Sequence, residues 1–301
     1  MPDAAIDAAD DGVVLRRAFL WACALDVQAR KPGNVSNASA GHRMQAGQFI
    51  HSAAASAEPL CRPGAPVGER IESAVRATRA IVQCNTNLGI VLLCAPIAAA
   101  WERRRRGGLR GRLVEVLAGL DAADARAAYR AIAWAQPAGL GSAPAQDIGD
   151  VPTLGLRDAM ALAADRDRIA WQYAHGFGDV FDPGVPAFEQ AHRGAGDADA
   201  APIVAMQRVF LEFLATWPDS HIARKHGAAL AHCVMAEARP WLARARRGDV
   251  LDDDPGFADW DESLKRRGLN PGTSADLCVA TALSWALVKA SATVADDTLD
   301  A

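Results

Sequence analysis

The chain is short of aromatic residues, short of lysine and without any long apolar run, and each shortage closes off a class of protein. Aromatics make up 6% of its 301 residues, with only two tyrosines, whereas alanine supplies 66. Alanine is the strongest helix former and the aromatic strand formers are scarce, so the composition argues against an all-β fold. The longest apolar stretch, 88–101, is too short to span a bilayer and runs into the arginines 103–106, so no membrane segment is expected. The six cysteines contain no Cys-x-x-Cys pair and read as buried reduced thiols, not as a zinc or disulfide framework. Neither G-x-G-x-x-G nor G-x-x-x-x-G-K-[ST] occurs. Residues 1–11 are acidic and alanine-rich, without the apolar segment of a secretory signal, which points to the cytoplasm.

What is present is a chain that is half hydrophobic and 23% charged, long enough to bury a sizeable core. Its 36 acidic and 32 basic residues leave a net charge of -4, so nucleic acid is not an expected partner, although a local basic pocket remains open. Only Lys31, Lys225, Lys265 and Lys289 among the basic residues are lysines. Helical spacing of apolar positions recurs over 12–30, 44–57, 67–83, 88–105, 109–120, 122–135, 166–174, 201–217, 226–247 and 274–294. Gly- and Pro-rich segments, notably 136–152 and 175–186, read as irregular connections. The expectation is one all-α domain over 1–301, ordered from about 12 to 294: a multi-helix bundle with functional groups on loops at helix ends. Oligomeric state is not legible, and a homo-oligomer stays open.

Five polar stretches interrupt the helices. In Lys31-Pro32-Gly33-Asn34, a lysine before a Pro-Gly turn can set its ammonium beside exposed backbone N–H groups, which suits phosphate. Spacing alone favours the plainer reading, a helix C-terminus with a basic residue near it. Asn85-Thr86-Asn87 opens an apolar helix, and helix N-termini attract anions, although simple capping competes. Capping does not require Gly89 in the first turn, where glycine costs about 1 kcal/mol against alanine; it implies close approach by another group. Asp147 and Asp150 flank Ile148-Gly149 and can hold Mg²⁺ through water or do acid/base work, or simply form a solvated loop. His221, Arg224, Lys225 and His226 cluster within six residues, fitting a polyanion or, equally, a basic helix end before Gly227. Finally, Asn270-Pro271-Gly272-Thr273-Ser274-Ala275-Asp276 is a tight turn feeding a helix, where hydroxyls, N–H groups and a carboxylate converge. It is the most site-like stretch by its chemistry.

At these stretches the chain resembles the triphosphoribosyl-dephospho-CoA synthase family, which carries an early Lys-Pro-Gly-x-Val motif, an Asn-Thr helix start and a late Pro-Gly-x-[Thr/Ser]-Ala-Asp-Leu motif. The matching residues are Lys31 to Val35, Asn85 to Gly89 and Pro271 to Leu277. The resemblance implies an all-helical enzyme that joins ATP with 3'-dephospho-CoA, releases adenine and forms 2'-(5''-triphosphoribosyl)-3'-dephospho-CoA, the prosthetic-group precursor of citrate lyase and malonate decarboxylase acyl carriers. For that transfer, residue chemistry points to Asp276 at a metal or the ribose and to Asp147 or Asp150 as the acid/base, with Asp150 as the second metal ligand. Lys31, Arg224, Lys225 and His226 would hold the triphosphate. Asn34, Asn85, Thr86, Asn87, Asn270, Thr273 and Ser274 would hydrogen-bond substrate, and Mg²⁺ would accompany ATP. The chain departs from the family where Asn-Thr-His-[Lys/Arg]-Gly is usual: here Asn87 and Leu88 replace the imidazole and the cation. Asn34 and Ser36 likewise stand where Leu and Asp are common. That variant resembles a branch associated with tetrahydromethanopterin-type one-carbon cofactor genes, so a transferase acting on a pterin or ribosyl-phosphate intermediate is one alternative. A non-catalytic nucleotide-binding helical protein is another.

Overall fold

A computed structural model describes residues 3–103, 107–137 and 147–297, with side chains described over 11–103, 107–137 and 147–291. The arginines 104–106 and residues 138–146 of the expected 136–152 loop lie outside the described residues. Among the described residues fourteen α-helices follow one another: α1 (Asp3–Gln28), α2 (Ala46–Leu60), α3 (Val67–Val82), α4 (Leu88–Trp101), α5 (Leu109–Ala118), α6 (Ala122–Ala135), α7 (Leu156–Ala161), α8 (Arg168–Ala174), α9 (Val185–Gly194), α10 (Ala201–Thr216), α11 (Ser220–His226), α12 (Ala228–Arg247), α13 (Pro255–Arg266) and α14 (Gly272–Asp297). Among the described residues there is no strand, and the one β-bridge joins Gly41 to Met44. No described helix is long and apolar enough to cross a membrane.

The arrangement is organised around α4. Its sequence is apolar all round, which is the pattern of a helix with no solvent face. Every residue of α4 except Ala99 is buried. Helices α1, α2, α3, α5 and α14 pack against it, and α14 also meets α10, which in turn carries α9 and α12. One continuous buried cluster therefore runs from Leu15 in α1 to Leu287 in α14. The many alanines let helices approach closely, while Leu, Val and Phe side chains fill the space between them.

The observed elements differ from the sequence expectation in four places. Helix α1 begins at Asp3, not at residue 12, because the alanines of 4–9 are strong helix formers and the acidic residues suit a helix N-terminus. Residues 180–194, read in part as irregular, instead form a π-turn (Val180–Gly184) that runs into α9. Helix α13 was not anticipated in so charged a segment, yet Asp254 caps it and Phe257, Asp261 and Leu264 form its buried face. The basic stretch before Gly227 is a short helix of its own, α11, and α12 starts only at Ala228. Gly227 has φ of 93° and separates the two.

Candidate active site

Three of the five polar stretches are locked together by close backbone packing. Gly33 has a φ of 83°, and a Cβ there would lie 2.8 Å from Leu269 O and 2.8 Å from Pro271 Cδ. The 31–36 loop thus lies against the turn that starts α14. Asn34 Nδ2 donates to Asn270 Oδ1 (2.9 Å), and Gly33 N donates to Asp261 Oδ1 (2.8 Å). The start of α4 approaches the same turn from another side. A Cβ on Gly89 would lie 1.9 Å from Asp276 Oδ2, so the close approach implied by this glycine is to a carboxylate.

A fourth stretch is fixed by Asp219, a residue with two tasks. Its Oδ1 accepts from the N–H groups of His221 (2.9 Å) and Ile222 (3.1 Å), capping α11. Its Oδ2 accepts from the N–H and the hydroxyl of Ser274, both at 2.8 Å. One carboxylate therefore sets α11 against the first turn of α14. Asp219→Asn keeps an oxygen for the α11 cap but turns an NH₂ toward Ser274, so it should destabilise the fold by about 1–3 kcal/mol. Ser274→Ala removes a single bond and should cost less; urea unfolding of both variants gives the order, and a larger loss in Ser274→Ala would contradict this assignment.

The convergence creates a cleft of about 530 Å³. Its polar lining comes from Asp26 on α1, Asn34, Asn85, Thr86, Asp167, His221 and Arg224 on α11, and Asn270, Thr273 and Asp276 at the start of α14. Its apolar lining comes mainly from α4 and from the α6–α8 region, including Leu88, Tyr129, Ile132, Ile148, Met160 and Ile169. Burial and the neighbouring carboxylates Asp26, Asp219 and Asp167 push the Asp276 carboxyl well above the usual range, partly offset by Arg224. Burial pushes Asp26 up as well, against the opposing pull of Lys31. Burial and the cations Arg224 and Lys225 push His221 down to about 4, so it faces the cleft as a neutral imidazole at pH 7. Arg224 is held by Asp167, whose Oδ2 accepts from Nη1 at 2.9 Å while its Oδ1 caps α8.

Of the residues expected from sequence, Asn34, Asn85, Thr86, Asp147, Arg224, Asn270, Thr273 and Asp276 line this cleft. The others are placed elsewhere. Lys31 is fully buried beneath the lining and pairs with Asp26 at 3.0 Å. Asn87 turns toward α2, donating to Ser56 Oγ (3.2 Å). Ser274 is committed to Asp219. Lys225 is exposed, and His226 Nε2 pairs with Gly268 O (3.0 Å); neither joins the lining. Asp150 is also exposed and is not on the lining that holds Asp276. Among the described residues no three His, Cys, Asp or Glu side chains are grouped to hold an ion.

The lining adds residues that sequence patterns do not single out. Asp26 sits between Leu25 and Val27 on the buried face of α1, and a carboxylate in that setting shortly before a lysine is a usable signal. His221 is the exception: it belongs to the basic cluster of the fourth stretch, although no substrate role was assigned to it from the sequence. Asp167 lies in Asp165-Arg166-Asp167-Arg168, which looks like any solvated helix end, and nothing local marks it or Arg166.

A model of the ATP:dephospho-CoA triphosphoribosyl transferase family matches residues 14–294. A crystal structure from Archaeoglobus fulgidus, provisionally described as a triphosphoribosyl-dephospho-CoA synthase, aligns with a TM-score of 0.59 at 18% identity. The alignment covers 79% of this chain and 97% of that one, and at such identity it bears on the fold alone. No curated protein matches the chain. The one-carbon-cofactor and non-catalytic alternatives are not favoured by these matches.

Proposed function

The chain belongs to the ATP:dephospho-CoA triphosphoribosyl transferase family, and from that membership we propose how its cleft carries out the transfer. The bond between C1'' of the ATP ribose and adenine breaks, and C1'' bonds to a hydroxyl of 3'-dephospho-CoA. The hydroxyl gives up a proton and the departing adenine gains one. The observation that carries this reading is the convergence of the Asn85–Gly89, Arg224 and Asn270–Asp276 segments on one cleft.

The roles follow from placement. The apolar residues of α6–α8 suit a planar base, and Asp147 lies with them on the lining as the group that passes a proton to adenine. Asp26 takes the proton of the attacking hydroxyl; its raised carboxyl makes it a better base near neutral pH, and Lys31 balances its charge. Carboxylates near C1'' also steady the positive charge that develops on the ribose. Arg224 and Arg166 receive the phosphate chain.

Magnesium would arrive with the nucleotide. The lining offers two guanidiniums, Arg166 and Arg224, the second already paired with Asp167, which is little positive charge for a bare triphosphate. No preformed cage of three ligands exists among the described residues. Such a site fits an ion bound chiefly by phosphate oxygens and water with Asp276 as its protein ligand, as Mg²⁺ commonly is. A cytoplasmic location fits the six free cysteines.

The test is free adenine, measured chromatographically from ATP and Mg²⁺ with and without 3'-dephospho-CoA. Adenine that depends on the acceptor is the expected result. Folded protein that binds ATP yet releases none would remove the proposed acceptor and with it the transfer.

A further inference from the structure

We propose that the paired amides of Asn34 and Asn270 read a ribose hydroxyl of ATP. The inference rests on the transfer reading above, which makes the ribose the reacting group. Asn34 is only 4% exposed yet lines the cleft. Its Nδ2 is used by Asn270 Oδ1, but its own Oδ1 is buried and has no hydrogen-bond partner. Buried amide oxygens are almost always satisfied, so an orphan on a cleft wall is an acceptor held ready for a ligand.

The backbone that carries this side chain is held in place, and the bond to Asn270 orients its amide. Asn34 N donates to Lys31 O (2.8 Å), Gly33 N donates to Asp261, and His42 Nε2 pairs with Gly33 O (2.7 Å). Val35 and Ser36 beyond it are buried. The acceptor is therefore preorganised by packing between the 31–36 loop and the turn before α14.

An amide oxygen can only accept, so its ligand must donate. Phosphate oxygens at neutral pH are acceptors and do not qualify. The other polar lining near the start of α14 also suits a sugar: Asp276 and Asp26 can accept from hydroxyls, and Thr273 can donate or accept. Adenine's amino group also donates, but it sits on a flat base, and the apolar lining that suits a base is supplied by α6–α8. A sugar hydroxyl, which donates to Asn34 Oδ1 and accepts from the Asn270 amide, matches both halves of the pair.

The test compares ATP, 2'-deoxyATP, 3'-deoxyATP and ITP on wild type and on Asn34→Ala, with Kd from calorimetry and kcat/KM from base release. Wild type should lose about tenfold or more on one deoxy analogue, by the discrimination expected when a site built for a hydroxyl meets its absence. Asn34→Ala should lose a similar factor on ATP and no longer distinguish ATP from that analogue. An equal loss on all four nucleotides would overturn the proposal, as would a loss that disappears only with ITP, which assigns the oxygen to the base amine. Should Asn34→Ala not fold, the wild-type comparison decides: equal affinity for ATP and both deoxy analogues overturns it. Absence of adenine from wild type removes the transfer reading, whereas normal wild-type turnover with a uniform Asn34→Ala loss removes only this inference.

Discussion

Gly89→Ala should nearly abolish turnover while leaving a folded protein. The added Cβ would stand 1.9 Å from Asp276 Oδ2, 2.5 Å from its Cγ and 2.8 Å from Ile169 Cδ1. Asp276 is a short side chain and cannot move its carboxyl aside without leaving its place on the cleft. The backbone of α4 cannot retreat either, because Ile90, Val91, Leu92 and Leu93 are all buried. The helix itself would gain from the change, since alanine is favoured over glycine by about 1 kcal/mol in a helix. The two effects oppose each other, and local strain at one carboxylate wins over helix propensity at the reacting centre. A displacement of about 1 Å can cost on the order of a hundredfold in rate. We therefore expect kcat for adenine release to fall about a hundredfold or more, close to the loss in Asp276→Asn, with the helical circular dichroism signal retained. Wild-type kcat in Gly89→Ala would mean that the position of Asp276 does not matter to the reaction.

Lys31→Met should be the most damaging single change to stability. Lys31 is fully buried and its ammonium lies 3.0 Å from Asp26 Oδ1, while also donating to the Asp26 carbonyl. Removing the cation leaves a buried carboxylate without its partner, a loss of about 3–5 kcal/mol. The pH dependence has a definite sign. The folded-state pKa of Asp26 is already raised by burial, and without Lys31 it rises further. The unfolded chain ionises near the ordinary aspartate value of about 3.9. The penalty is therefore largest above the raised folded pKa of the variant, shrinks as pH falls through it, and is gone below about 3.9, where folded and unfolded states are both protonated. Urea unfolding at neutral and acidic pH checks this, and a loss that does not shrink on acidification would contradict the pairing. Adding Asp26→Leu to Lys31→Met should restore much of the stability, because a buried pair replaced by apolar groups is often tolerated. Activity should stay lost in the double variant, since Asp26 lines the cleft.

The residues that sequence and structure assign differently share one feature: each is the immediate or near neighbour of a residue that does face the cleft. Asn85 and Thr86 line it while Asn87 turns to Ser56. Thr273 lines it while Ser274 binds Asp219. Arg224 lines it while Lys225 is exposed, and Asp147 lines it while Asp150 is not. Successive residues of a helix point about 100° apart, as at Thr273–Ser274 and Arg224–Lys225, and in the non-helical segments 85–87 and 147–150 each residue's direction follows its own backbone angles, so composition within a stretch does not select which residue meets a ligand.

The sequence by itself determined the helical class, the apolar α4, the turn at Pro32-Gly33, and the fact that something approaches Gly89 closely. These depend on local chemistry: propensity, the fixed φ of proline, the conformational range of glycine, and the need of helix ends for partners. Only the tertiary structure decided that the approaching group is Asp276, that Lys31 serves Asp26 and not a phosphate, and that Asp219 fastens α11 to α14. Those facts join residues up to 187 positions apart, as in Gly89 and Asp276. A side chain's direction and partner are set by which distant helices pack against it, and that information is carried by the whole core and not by any one stretch.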